Sequence, residues 1–268
     1  DTLLSFKESL NDPMENLSGW SDSSTSNYCK WKGITCSAPN PELFILSITL
    51  QNLNLSGEIS SSICNFPALS LLDLSGNLFD ISIPLNLSRC TSLESLNLSN
   101  NLIWGMIPHQ ISQMKSLKVL DFSGNQIEGY IPASIGLLVN LQVLKLGNNF
   151  ISGIHSTVFG NLSELLIIDL SNNPTLKSEV PSEMGRLKNL EQLLLQNCSF
   201  YGELPDSFVG LQNLAILDLS MNNLSGMIPP LLSSSLMNLV SLDISQNKFS
   251  GTFPDDICGG KKLANINL

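Results

Sequence analysis

The chain has 268 residues, of which 43% are hydrophobic and only 13% charged, with 23 acidic against 13 basic side chains and a formal net charge of −10. That is the composition of a core-forming chain; the acid excess excludes nucleic acid and anionic membrane surfaces as partners and mildly favours neutral or cationic ones. No run of 18 apolar residues is present to cross a membrane, and Asp1 is expected to open a processed chain that carries no leader.

In chain order, residues 1–11 place Leu3, Leu4, Phe6 and Leu10 on a helical stripe, and Asp12-Pro13 stops it. Trp20 and a Ser-rich loop follow, then Cys29-Lys-Trp31-Lys-Gly33-Ile-Thr-Cys36, whose short Cys spacing suits a clipped hairpin. From residue 45 the sequence repeats. Leu69-Ser-Leu-Leu72-Asp-Leu74-Ser-Gly-Asn77 returns as Leu93 to Asn101, Leu117 to Asn125, Leu141 to Asn149, Leu165 to Asn173, Leu190 to Cys198, Leu214 to Asn222 and Leu239 to Asn247. The marker position advances by 24, with two steps of 25. Such a period is the mark of a leucine-rich-repeat solenoid.

Within a repeat, Leu72 and Leu74 alternate with Asp73 as a strand requires, so the leucines face the core and the acid faces out. Repeats stacked about 4.8 Å apart make a parallel sheet on the concave side. The marker Asn is expected to satisfy backbone groups of the turn that follows; Cys198 and Leu53 stand in its place and must do so differently. The second half reads L-x-G-x-I-P, as in Trp104-Gly105-Met106-Ile107-Pro108. Glycine there allows close approach or positive φ, and Pro suits an edge or turn.

Residues 1–44 are read as an N-terminal cap and 45–268 as nine repeats plus a truncated tenth, since terminal repeats need covering. A matching C-terminal cap is missing: the chain stops at Leu268 with Leu263, Ile266 and Leu268 poised to stack on a continuation. Cys64 and Cys90 fall on the convex side of adjacent repeats and are expected to bridge. Cys258 stands four past Pro254, as Cys64 stands four past position 60, and would find its partner one repeat further on. Cys198 reads as a buried free thiol. Seven N-x-S/T sequons, at Asn16, Asn54, Asn86, Asn97, Asn161, Asn197 and Asn223, together with the paired Cys, point to a glycosylated extracellular protein.

Nothing in the chain has the spacing of a nucleophile elbow, a phosphate loop or a metal site; His109 and His155 lie in different repeats and read as surface residues. Asp73, Asp121, Asp169, Asp218 and Asp243 recur once per repeat and read as a solvated consensus position, interrupted by Lys145 and Leu194. Departures from consensus are the better clue to a binding face. Trp104 and Tyr201 put aromatics where small or acidic residues are usual, which suits protein contact. Lys145, Asn148, Gln192, Gln196, Met221 and Gln246 join them as candidate ligand-binding residues of the concave or lateral surface.

Taken together, Cys29-x-Trp31-x-Gly33-Ile-x-Cys36 followed by L-x-x-L-x-L-x-x-N-x-L-x-G-x-I-P repeats resembles the extracellular part of plant leucine-rich-repeat receptor-like kinases. Ile63-Cys-Asn-Phe-Pro, Leu87-Ser-Arg-Cys90 and Leu102-Ile-Trp104-Gly resemble in particular a subset whose kinase is described as probably inactive. The resemblance implies a superhelical α/β solenoid with a disulfide-bonded cap, held on the outer face of the plasma membrane by a single span outside this chain. It implies a peptide, hormone or protein ligand, often a co-receptor kinase, no cofactor and no catalysis in this segment. Peptide receptors of the family often read a ligand carboxylate with paired Arg; Arg89 and Arg186 are not neighbours. Similar caps and repeats also occur in secreted inhibitors of microbial wall-degrading enzymes, the alternative reading.

Overall fold

The computed structural model describes residues 2–22, 27–38, 44–230, 236–252 and 262–268; Pro254 and Cys258 lie outside them. An 11-stranded sheet lines the concave side. Its strands are mostly three residues long and pair in parallel with the next in sequence, one repeat apart. The period therefore sets the register: Leu72, Leu96, Leu120 and Leu144 lie opposite one another and are fully buried, as are Leu74, Leu98, Phe122 and Leu146 two residues later. Asp73 is half-buried on the other face of its strand. The convex side is built of short 3-10 turns such as Leu85–Arg89 and His109–Gln113, each entered from a proline at the end of I-P. The α-helix Thr2–Ser9 lies in the cap.

The marker asparagines tie the rungs together. Asn173, fully buried, donates from Nδ2 to the carbonyls of Leu146 (3.0 Å), Leu170 (2.8 Å) and Ser171 (3.4 Å), and its Oδ1 accepts from Ile151 N–H (3.0 Å). Asn101, Asn125, Asn149, Asn222 and Asn247 repeat the arrangement. Both exceptions are satisfied otherwise. At Leu53 the cap helps: Asn16 Nδ2 donates to the Leu53 carbonyl, and Asn77 Oδ1 accepts from the Leu53 N–H. At Cys198 the thiol donates to Leu170 O at 2.9 Å, while the extra residue of the preceding repeat lets Leu176 N–H bond Asn173 O at 3.0 Å.

The residue just before the marker is held in the left-handed region, which explains Gly76 and Gly124 there and Asn elsewhere. Met221 (φ +57°) and Gln246 (φ +53°) occupy it without that tolerance. Met221 is 49% exposed and loses little packing when shortened. Met221→Gly is therefore expected to stabilise the chain by about 0.5–1 kcal/mol, read as a higher denaturant midpoint; Met221→Ala should give no such gain, and equal behaviour of the two would refute the backbone explanation.

At the N-terminus the structure corrects two expectations. The helix is Thr2–Ser9, with Leu3 and Phe6 buried, and Leu10 leaves it to pair with Asn11 as a short strand against Ser56–Gly57. Gly57, at φ +94°, admits this approach, since a Cβ there would sit 2.6 Å from Ser9 O. Nor do the cysteines bound a hairpin: Cys29 lies in a 3-10 turn, and Ile34–Cys36 joins the large sheet antiparallel to Ile45–Thr49. The edge left open by the first repeat is thereby paired. Cys29 and Cys36 are disulfide-bonded, as are Cys64 and Cys90, which join adjacent convex turns. Trp20 is buried, stacks on Trp31 at 5.5 Å and donates from Nε1 to Lys32 O.

Candidate ligand-binding face

The concave sheet exposes the first and third residue of each strand, all half-buried along its central rungs. The third position runs Asp73, Asn97, Asp121, Lys145, Asp169, Leu194, Asp218, Asp243. These acids are not freely solvated. Each Asp Oδ1 accepts from the N–H of the residue two on, and Ser123, Ser171, Ser220 and Ser245 add their hydroxyls at 2.6–2.7 Å. The carboxylate closes the turn that ends its strand. Burial by itself would raise the carboxyl of Asp243, but hydrogen bonds from Ser245 Oγ, Asn267 Nδ2 and Ser245 N–H outweigh it and hold the group below its ordinary range.

Three rungs of this column lack that Asp: Asn97 still closes its turn, its Oδ1 accepting from Ser99 N–H at 3.0 Å, and the other two carry candidate residues. Lys145 is the cation of the column, in register between Asp121 and Asp169 but in ion-pair contact with neither. Leu194 leaves the following turn without its carboxylate; Gln196 fills the Ser position, and its Oε1 is buried with no hydrogen-bond partner. Asn197 and Cys198 complete this off-pattern turn. Asn197 Nδ2 donates to Asn172 Oδ1, and Asn172 Nδ2 donates to Asn148 Oδ1, so Asn148 belongs to a chain of amides along the turn edge. Gln192 is half-buried in the strand of the same rung. Burial pushes the Cys198 thiol up to about 12, beyond reactive range.

The candidates do not converge on one pocket. Trp104 and Tyr201 belong to two separate three-stranded sheets on the lateral side. The break falls at the repeat after Asn173, where Pro174 has no N–H to give and the extra residue shifts the register. Met221 and Gln246 are exposed at the turn edge. Met106 and Tyr130, 68% and 65% exposed beside Trp104, were missed by sequence reasoning. They occupy the variable position of G-x-I-P, and the structure shows its rule: the side chain lies over the glycine of the next repeat, Met106 on Gly129 and Tyr130 on Gly153. The signal was an apolar residue recurring at that x.

The sequons divide. Asn54, Asn86, Asn161 and Asn223 are exposed, whereas Asn16, Asn97 and Asn197 are half-buried with Nδ2 already donating to a neighbour.

Comparison with known proteins agrees with this architecture. The leucine-rich-repeat N-terminal domain model matches residues 1–37, and leucine-rich-repeat models match 91–149, 139–200, 213–235 and 238–259. Over 92 residues (34% of the chain and 10% of the relative) it is 60% identical to an Arabidopsis thaliana protein named "Probably inactive leucine-rich repeat receptor-like protein kinase". The solved ectodomain of the Arabidopsis receptor kinase HAESA, in complex with an N-terminally extended IDA peptide hormone, matches 98% of the chain at 34% identity and a TM-score of 0.89. The complex of HAESA with IDA and the co-receptor SERK1 matches 100% at 32% identity and 0.88. The chain spans 43% and 48% of those two ectodomains and a far smaller share of the curated relative. The chain belongs to the leucine-rich-repeat family and is of the plant receptor-kinase ectodomain type.

Proposed function

We propose that this chain is the ligand-sensing part of a receptor ectodomain at the outer face of the plasma membrane, with residues 1–44 as its cap and 45–268 as its repeats. A membrane span and a kinase-like domain would belong to the full-length protein. The observation that carries the reading is the match over nearly the whole chain to an ectodomain solved with a peptide hormone. A solenoid of this kind presents a long surface rather than an enclosed cleft, and such surfaces bind. Extended peptides or protein loops are the ligands it suits, with a co-receptor completing the complex. On the concave side Lys145, Gln192 and Gln196 are the residues free to answer a ligand, with Asn148, Met221 and Gln246 at the turn edge and Trp104 and Tyr201 laterally. Lys145, a cation in a row of acids, suits a ligand carboxylate.

Peptide-mapped mass spectrometry of the chain secreted from plant or insect cells, with and without reduction and glycosidase, tests the extracellular reading. Glycans are expected at Asn54, Asn86, Asn161 and Asn223, with Cys29–Cys36 and Cys64–Cys90 bridged. Bare sequons together with reduced cysteines would sink it.

A further inference from the structure

The lateral side carries a pattern that the concave reading does not use. Leu85, Trp104, Met106 and Tyr130 are each at least half exposed, although apolar side chains gathered on a monomer's surface usually mark a contact site. Leu85, Met106 and Tyr130 line one open groove of about 660 Å³, floored by Pro108 and Pro132. Beside it, sharing Ser82, lies a groove of about 330 Å³ lined by Glu58, Asp80 and the Trp104 side chain. At the opposite end, past Ile154, a third groove of about 440 Å³ is lined by Glu179, Glu183 and Glu203. The order along the solenoid is therefore acidic, apolar, acidic.

The charges are unanswered. Lys118–Glu94 is the one ion pair among the described residues, and it lies elsewhere. Segments 77–84, 101–108, 125–132 and 149–156, which build this side, contain no Lys or Arg; Arg89 and Lys115 come after them at the convex turns, and Lys177, beside Glu179, is the first cation met along the lateral side itself. We propose that this lateral face is a second recognition surface, fitted to an extended protein segment with apolar side chains at its centre and a Lys or Arg at each end. The apolar part would cover Met106 and Tyr130. One cation would sit over the Trp104 face near Asp80, where an aromatic ring and a carboxylate act together; the other would meet Glu179 and Glu203. Asp80 and Glu179 are four rungs apart, about 19 Å at ~4.8 Å per rung, and an extended chain advances ~3.3 Å per residue, so about six residues separate the two cations. Trp104 is shared with the receptor reading; Leu85, Met106, Tyr130, Asp80 and Glu179 are not, and on them the proposal stands or falls separately.

The probe is a labelled peptide, Arg-Gly-Leu-Gly-Phe-Gly-Arg, which puts all four side chains on one face, titrated against the intact chain at low and moderate salt. Saturable binding is expected. It should weaken at least tenfold in Met106→Glu and in Leu85→Glu, both surface changes checked for unaltered melting. It should weaken at least fivefold in Asp80→Asn with Glu179→Gln, lose most of its salt dependence there, and persist in Lys145→Glu. A peptide with both Arg replaced by citrulline should bind far more weakly. The absence of saturable binding, equal affinity for the citrulline peptide, or binding lost in Lys145→Glu but intact in Met106→Glu would each overturn the proposal.

Discussion

Asn173→Ala is expected to destabilise the chain by about 3–5 kcal/mol, and Cys198→Ala, at the same position one repeat on, by only about 1–2 kcal/mol. The asymmetry follows from what each side chain serves. Removing the Asn173 amide leaves Ile151 N–H without its acceptor in a fully dry site, and takes from Leu146 O and Leu170 O one donor each, so that Leu146 O keeps only Asn149 Nδ2 and Leu170 O only the weak Cys198 thiol. Each orphaned buried group costs about 1–3 kcal/mol, and the deletion adds a small cavity. Because each repeat is held by its neighbours, the loss falls on both interfaces of the rung. Cys198 bears less. Its thiol is a weak donor to Leu170 O, a carbonyl that Asn173 Nδ2 also reaches, and the turn before it is closed by Leu176 N–H on Asn173 O. Denaturant midpoints of the two variants, with amide exchange at Ile151, decide the matter. Comparable losses would mean that the marker position works through packing and not through its hydrogen bonds.

That contrast also shows how far the sequence reaches. Leu72, Leu74 and their equivalents could be placed inside because strand alternation and the 24-residue period agree, and the same period made a role for Asn173 and an anomaly at Cys198 visible. The acids were harder. Asp121 and Asp169 look solvated when read alone; the Asp-x-Ser spacing that makes them turn-closing groups was present, but a carboxylate half-buried against its own turn is known only from the folded backbone. Leu10 fits the helical stripe by spacing, yet Gly57 offers it a strand partner 47 residues away, and no local pattern reports that. Met106 and Tyr130 escaped notice because attention fell on the residue before the glycine, whereas the residue after it is the one laid across the next rung.

The two disulfides should not be equivalent, and their ranking tests how the cap is secured. Closing a loop restricts the unfolded chain more as the loop lengthens, and separations of 26 for Cys64–Cys90 and 7 for Cys29–Cys36 correspond to about 3.5 and 2.4 kcal/mol. Replacing Cys64 and Cys90 together by Ala is therefore expected to lower stability by about 1 kcal/mol more than replacing Cys29 and Cys36. The position of the longer bridge sharpens the expectation. It joins the convex turn Ser61–Asn65 to Leu85–Arg89, so its loss should release the cap and first repeat as a unit, seen as faster amide exchange before residue 70 with the later rungs unchanged. The shorter bridge encloses Trp31, which stacks on Trp20, and Trp20 Nε1 is bonded to Lys32 O. If losing Cys29–Cys36 proves the costlier change, loop entropy is not what governs this end of the molecule. The bridge would then act by holding Trp31 against Trp20, and Trp20→Ala should reproduce most of its effect.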